Sequence, residues 1–316
     1  MTRITARTAL LMTLPPLLWA GNAVVGRLAV GSVPPMTLNF LRWLIASLIL
    51  LPLGWHALRE PHALLARWRY LLVIGTLAMG MYNALQYLAL ITTTPLNVTL
   101  IAASLPVAML LVGALFYGEH PTPRQIGGAV LSIAGVLLVI ARGDPLALAR
   151  VRFVAGDLYV VIAVIAWACY SWLLARPPAS MRTPQRPAWD WAGFLLVQML
   201  FGLIGAGAAA AAELASGAKP IEWNGFVVAV LLFVAIGPGI IAYRCWGLGV
   251  ARGGPALAAF FANLTPLFAA LMSAWVLGET PRWFHALAFA LIVAGILVSS
   301  KPGHAAQRSN ESTPKP

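Results

Sequence analysis

The sequence predicts an all-α polytopic membrane protein whose ten transmembrane helices form two inverted five-helix repeats. Three observations predict it. The chain of 316 residues is 60% hydrophobic and only 9% charged, whereas soluble domains carry roughly a quarter charged residues, so lipid must be the solvent for most of its surface. Ten apolar runs lie near the ~20 residues that a helix needs to cross a bilayer. A series of Pro, Gly and Glu residues also recurs at a fixed offset in the two halves.

In order, the runs are Ala9–Val30, Pro35–Gly54, Tyr70–Leu90, Pro95–Tyr117, Arg124–Ala141, Val154–Ala175, Ala192–Ala212, Gly225–Leu248, Gly254–Leu277 and Trp283–Ser300. Their connections are short and hold turn residues such as Gly31, Pro34, Pro121 and Gly253. Residues 9–141 make the first repeat and 154–300 the second. The polar stretch 301–316, with its Ser, Asn and Pro, is expected to be a disordered cytoplasmic tail. Arg3 and Arg7 before the first run suggest a signal peptide, but Pro15 and Pro16 interrupt the run and no small-x-small cleavage site follows.

Orientation follows from Lys and Arg. With the N-terminus in the cytoplasm, thirteen basic residues fall in cytoplasmic loops and tails and six on the opposite side, which favours both termini inside. Arg142, Arg150 and Arg152 dissent. The net charge of +12 has its cause in these loops, so nucleic acid is not an expected partner; the bilayer and a small-molecule substrate are.

The repeat appears on shifting the sequence by 160 residues. Pro95 then meets Pro255, Pro106 meets Pro266, Gly118-Glu119 meets Gly278-Glu279, Pro121 meets Pro281 and Gly135 meets Gly295. Trp19-Ala20 matches Trp167-Ala168 at a shift of 148. Five runs per half is an odd number, so the second copy is upside down, an architecture that puts transporter substrate sites near the midplane between the repeats.

Polar and aromatic residues inside the runs are the candidate cavity residues. Trp19 and Asn22 lie in the first run and Arg42 in the second. Tyr82, Asn83 and Gln86 share a stretch of the third, and Trp167 and Tyr170 lie in the sixth. Tyr243 falls in the eighth and Asn263 in the ninth. A charged side chain in hydrocarbon costs about 2.5 kcal/mol or more, so Arg42 must face the bundle interior or water; a structural bond to helix carbonyls is the alternative to a pathway role. The amides also serve as ties between helices. Arg244, nearer an interface, reads as snorkelling. Pro106 and Pro266, each mid-run, break a backbone hydrogen bond and are the expected hinges or kinks. Thr122-Pro123 with Gln125 reads as a capping box, and Thr280-Pro281 repeats the cap. Glu119 and Glu279 read as structural, meeting donors at the start of the next helix.

No Asp or Glu lies mid-run. A proton relay commonly uses such a carboxylate, so the sequence leans toward facilitated export or exchange. Cys169 and Cys245 sit inside apolar runs and read as packing residues. Neither a metal site nor a cofactor is indicated, and there is no HExxH helix for an intramembrane protease.

Trp19-Ala20-Gly21-Asn22, Arg42, the spacing from Pro106 to Gly118-Glu119 and the helix with Gly127 and Gly135 resemble the first half of an EamA-type drug/metabolite transporter (DMT). Gly156-Asp157, Trp167, Pro266, Gly278-Glu279 and Gly295 resemble its second half. The resemblance implies export of amino acids or related small metabolites by alternating access across the bacterial inner membrane, and within the family the aromatic amino acid exporter branch is the nearest analogue. It departs in the seventh run, where Gln198 rather than an arginine is the main polar residue. A lipid or lipid-linked sugar translocase is the rival function, followed by a non-transporting receptor and an intramembrane enzyme.

Overall fold

A backbone amide in hydrocarbon has no water to bond, so a crossing segment must satisfy its own hydrogen bonds as a helix. The computed structural model describes residues 5–29, 31–89, 92–93, 95–276 and 282–300, and every regular element among them is helical. Eight of these helices are long and apolar enough to cross a membrane. Side chains such as Leu115, Phe116 and Trp275 stand exposed around the bundle, an apolar belt of a kind that soluble monomers do not leave in water. The chain is a multi-pass membrane protein.

Helices α1 (Ala6–Leu28) and α2 (Pro35–Gly54) occupy the first two runs. The third starts nine residues before the expected Tyr70: α3 (Pro61–Gly75) continues through a π-helical turn, Thr76–Met81, into α4 (Tyr82–Ala89). Charges hid its first turns from a hydropathy reading. One of them, Arg67, is engaged, its guanidinium donating to the carbonyls of Ser180 at 2.8 Å and Gln185 at 2.5 Å.

The fourth run is broken into α5 (Pro95–Ala102) and α6 (Leu105–Tyr117), with Ala103 and Ser104 non-helical between them. Pro106 therefore sits in the first turn of a new helix, where its missing N–H costs little. The expected capping box starts α7 (Pro123–Ile140): Gln125 N donates to Thr122 Oγ1 at 3.2 Å, and Thr122 N donates to Gln125 Oε1 at 2.8 Å. After a single turn, α8 (Leu146–Ala149), come α9 (Ala155–Ala175) and α10 (Trp191–Ala215).

In the eighth run α11 (Gly225–Val234) passes through a second π-helical turn, Ala235–Ile241, into α12 (Ala242–Ala262). Gly254, at φ 81° and ψ 162°, kinks α12 and alone separates the eighth run from the ninth; only glycine takes that conformation without strain. A break at Asn263 precedes α13 (Leu264–Val276), and α14 (Trp283–Ser300) closes the described chain. Pro266, like Pro106, falls in the first turn after a break. Glu279, the Thr280-Pro281 cap and the tail 301–316 lie outside the described residues.

The main contacts run between the halves: α2 on α10, α7 on α14, α1 on α12 and α13, α4 and α6 on α9. Glycine allows the closest approaches. A Cβ on Gly128 would sit 2.7 Å from Gly295 O, one on Gly135 2.8 Å from Ala288 O, and one on Gly75 2.7 Å from Gln198 O. Small residues let membrane helices gain dispersion energy where hydrophobicity offers no gain over lipid.

Acidic side chains tie helix ends across the halves. Glu213 of α10 accepts from Met36 N, Thr37 N and Thr37 Oγ1 at 2.8–2.9 Å, capping α2 where its dipole favours an anion. Asp190 accepts from Gly193 N at 2.8 Å and lies 3.5 Å from His56 Nε2, just beyond the far end of α2. Asp157, buried at the start of α9, accepts from Val154 N at 2.7 Å, Asn97 Nδ2 at 2.9 Å and Thr93 Oγ1. Glu119 does not meet the next helix as expected; it reaches across to Arg176 at the end of α9. Arg244 lies with Cζ 5.0 Å over the ring of Trp191, and both cysteines are free.

Candidate functional site

The two broken runs meet each other. Asn263 donates through Nδ2 to Ala103 O, its mate at the repeat offset of 160, at 3.4 Å, and to Ser132 Oγ at 2.9 Å. Beside this crossing the helices separate around a cavity of about 240 Å³. Trp19 and Asn22 of α1, Arg42 of α2, Tyr82, Asn83 and Gln86 of α4, Trp167 of α9 and Tyr243 of α12 line it, with Asn263 in the break after α12 and Pro266 of α13. Nine of these ten positions come from six helices, and Asn263 from the break between two of them.

Tyr170 does not join them. Its ring packs behind Trp167 with centroids 5.2 Å apart, and its hydroxyl donates to Gln198 Oε1 at 3.2 Å, so it faces α10 rather than the cavity. Three residues along a helix bring two side chains to neighbouring but not identical faces, and the partner on α10 draws Tyr170 away. Pro106 is likewise outside the lining, which Leu105 enters in its place. Thr99 and Thr265 also line the cavity and were missed. Their signal was position: each stands within four residues of a helix break, where a small hydroxyl can face the opening.

Arg42 is 3% exposed, on the wall of this cavity, with Cζ 4.7 Å from the Trp43 ring centroid. It backs onto the second π-helical turn, where a Cβ on Gly239 would lie 3.9 Å from its Nε. The guanidinium thus sits on an aromatic face and at a polar opening, the surroundings in which a buried cation costs least.

An aromatic cluster floors the site. Trp19 meets Trp167 edge-on at 5.3 Å, and Trp246 lies 5.4 Å from both. Tyr243 packs edge-on against Trp167 at 5.4 Å and Trp43 at 5.0 Å. Trp246 Nε1 donates to Ser171 Oγ at 3.1 Å. Beyond the cluster, toward the end of the bundle where α14 finishes, a second opening of about 680 Å³ is lined by Glu119, His120, Arg176, Arg252 and Ser300 among others. Between a polar pocket and a charged cleft, then, lies a layer of tryptophan. No group of three or more His, Cys, Asp or Glu able to hold a metal ion occurs among the described residues.

This chain is 27% identical over 301 residues to an uncharacterized transporter of Archaeoglobus fulgidus, covering 95% of this chain and 99% of the relative. It is 28% identical over 301 residues to the aromatic amino acid exporter YddG of Ancylobacter novellus, covering 90% and 93%. A solved crystal structure superposes with a TM-score of 0.73 at 24% identity, over 94% of this chain and 98% of the other, which speaks for the fold alone. The sequence pattern of the EamA-like transporter family matches residues 6–141 and again residues 154–301. With both halves so matched, the chain belongs to the EamA-like transporter family.

Proposed function

We propose that this protein exports small amphipathic metabolites, aromatic amino acids foremost, across the bacterial inner membrane by alternating access between two inverted five-helix repeats. The observation that carries the proposal is the cavity at the seam between the halves, walled by Trp19, Tyr82, Trp167 and Tyr243 and bearing Arg42. An aromatic wall takes up an apolar body, and a guanidinium takes up a carboxylate through paired hydrogen bonds. Asn22, Asn83, Gln86 and Thr99 supply neutral donors and acceptors for the remaining polar atoms. The volume of about 240 Å³ lies just below the ~300 Å³ lower end of drug-sized sites, room for one small metabolite.

The contacts support a pseudo-twofold arrangement. Counting α5 with α6 as the fourth crossing, and dividing α12 at Gly254 so that its end joins α13 as the ninth, gives ten crossings. The second then packs on the seventh, the fifth on the tenth, the first on the eighth and the third on the sixth, a set that is unchanged when each crossing is exchanged with its mate five places on. In this reading both termini are cytoplasmic, the tryptophan layer separates the cavity from the cytoplasmic cleft, and residues 9–141 rock against 154–300.

Purified protein in liposomes loaded with labelled tryptophan, phenylalanine or tyrosine tests this. Counterflow of at least one of them is expected. Arg42→Ala is expected to lower it about 10- to 100-fold, the worth of a charged hydrogen bond, at unchanged expression. No flux of any amino acid, together with movement of a lipid-linked sugar, would replace this function with the translocase.

A further inference from the structure

The third run contains a π-helical turn, Thr76–Met81, immediately before the three cavity residues Tyr82, Asn83 and Gln86. A turn of this kind carries one residue more than an α-turn, so everything after it is rotated by one residue, about 100°, relative to a continuous α-helix. Whether Asn83 and Gln86 face the cavity therefore depends on whether the turn persists. Two side chains from outside the run bond its carbonyls: Asn39 Nδ2 of α2 donates to Met79 O at 3.2 Å, and Tyr243 Oη of α12 donates to Ala78 O at 3.0 Å. Asn39 is itself oriented, since its Oδ1 accepts from Trp43 Nε1 at 3.1 Å. Both bonds are buried, where an acceptor without a donor is costly.

We infer that Asn39 and Tyr243 are positioning residues for the substrate cavity: their bonds to Met79 O and Ala78 O hold the third run in its widened register and so select which of its side chains meet the substrate. Tyr243 lies in the second half and Ala78 in the first, so a cavity residue of one repeat sets the phase of cavity residues in the other. The inference rests on the transport reading for the meaning of the cavity, but the register it concerns can be measured without any flux.

If the turn closes to α, the face now formed by positions 82, 83 and 86 passes to 81, 82 and 85. The test uses the full-length chain with Cys169→Ser and Cys245→Ala, carrying Gln86→Cys or Leu85→Cys, and follows labelling by a small charged methanethiosulfonate. Adding Tyr243→Phe, which removes one hydroxyl and keeps the ring, is expected to slow labelling at 86 and speed it at 85, so that the ratio of the two rates shifts by about tenfold, the population shift of roughly 1.4 kcal/mol that one buried hydrogen bond supplies. Asn39→Ala is expected to act in the same direction and carries the test alone if the tyrosine variant does not fold. Unchanged rates at both positions, or faster labelling at both, would overturn the inference, the latter because it reports loosening rather than rotation. A rotated pattern in a protein that moves no amino acid leaves the inference standing and removes the proposed cargo.

Discussion

The eighth run widens at Ala235–Ile241 and the third at Thr76–Met81, places related by the repeat, yet the two turns have different origins. The eighth contains Pro238 between Gly237 and Gly239. Proline offers no N–H to the carbonyl four residues back and its ring collides with it, and in a wider turn that collision is avoided; Ala242 N accordingly bonds Gly237 O, five residues back. Gly239 leaves room beside Val234 O, which a Cβ would approach to 3.2 Å. The third turn reads Thr-Leu-Ala-Met-Gly-Met; it has no proline and, Gly80 and Thr76 apart, consists of good α-formers. It is held from outside, by Asn39 and Tyr243 and by the packing of Met79 on Gly202, where a Cβ would lie 2.7 Å from Met79 Cβ. The same irregularity is written into the backbone in one half and imposed by neighbours in the other, so the two should respond oppositely to substitution.

The heaviest blow to the imposed turn is Gly202→Val. It forces α10 from Gly75 and Met79, and overpacking of this kind costs about 1–3 kcal/mol; a marked fall in the unfolding midpoint in detergent is expected, and an unchanged midpoint would mean that the helices are not locked there. Pro238→Ala probes the written turn. Restoring the amide is expected to leave the midpoint no lower than the parent's while hydrogen exchange at residues 239–242 slows. Exchange at the parental rate would show that proline is not the cause, and the contrast would fail.

These positions also mark how far the sequence could be read. Gly-Pro-Gly inside an apolar run announces a departure from the α-helix, and the paired prolines Pro106 and Pro266 read as hinges or kinks within a helix, whereas each starts a new helix after a break. Thr76–Met81 carries no such sign, because its cause lies 37 or more residues away in Asn39 and Tyr243. Tyr170 was misplaced for a related reason: periodicity gives a face to within a residue or so, and its partner Gln198 chose between the faces. The cavity's composition was legible because each polar group within hydrocarbon is costly and must find a common interior.

Smaller effects sharpen the comparison at the paired breaks. Asn263→Ala removes the bonds to Ala103 O and Ser132 Oγ and is expected to cost about 1–2 kcal/mol of stability, read as a lower midpoint, since here too a break is held by its repeat mate. Arg176→Ala removes the pair with Glu119, which is half exposed on both sides; a loss of no more than about 1 kcal/mol is expected. A larger fall would make that contact a structural tie between the halves on a par with the buried ones.

Crossing segments, their two-half order, the turn at Pro238 and the kink at Gly254 were determined by the sequence itself, because bilayer thickness, proline's missing donor and glycine's freedom act within a few residues of the group concerned. Tertiary structure decided the phase of the third run, the exclusion of Tyr170 and the meeting of the two breaks at Ala103 and Asn263. Each of those depends on a hydrogen bond whose donor and acceptor lie on different runs, and in a low-dielectric interior such a bond is strong enough to overrule the local preference for a regular turn.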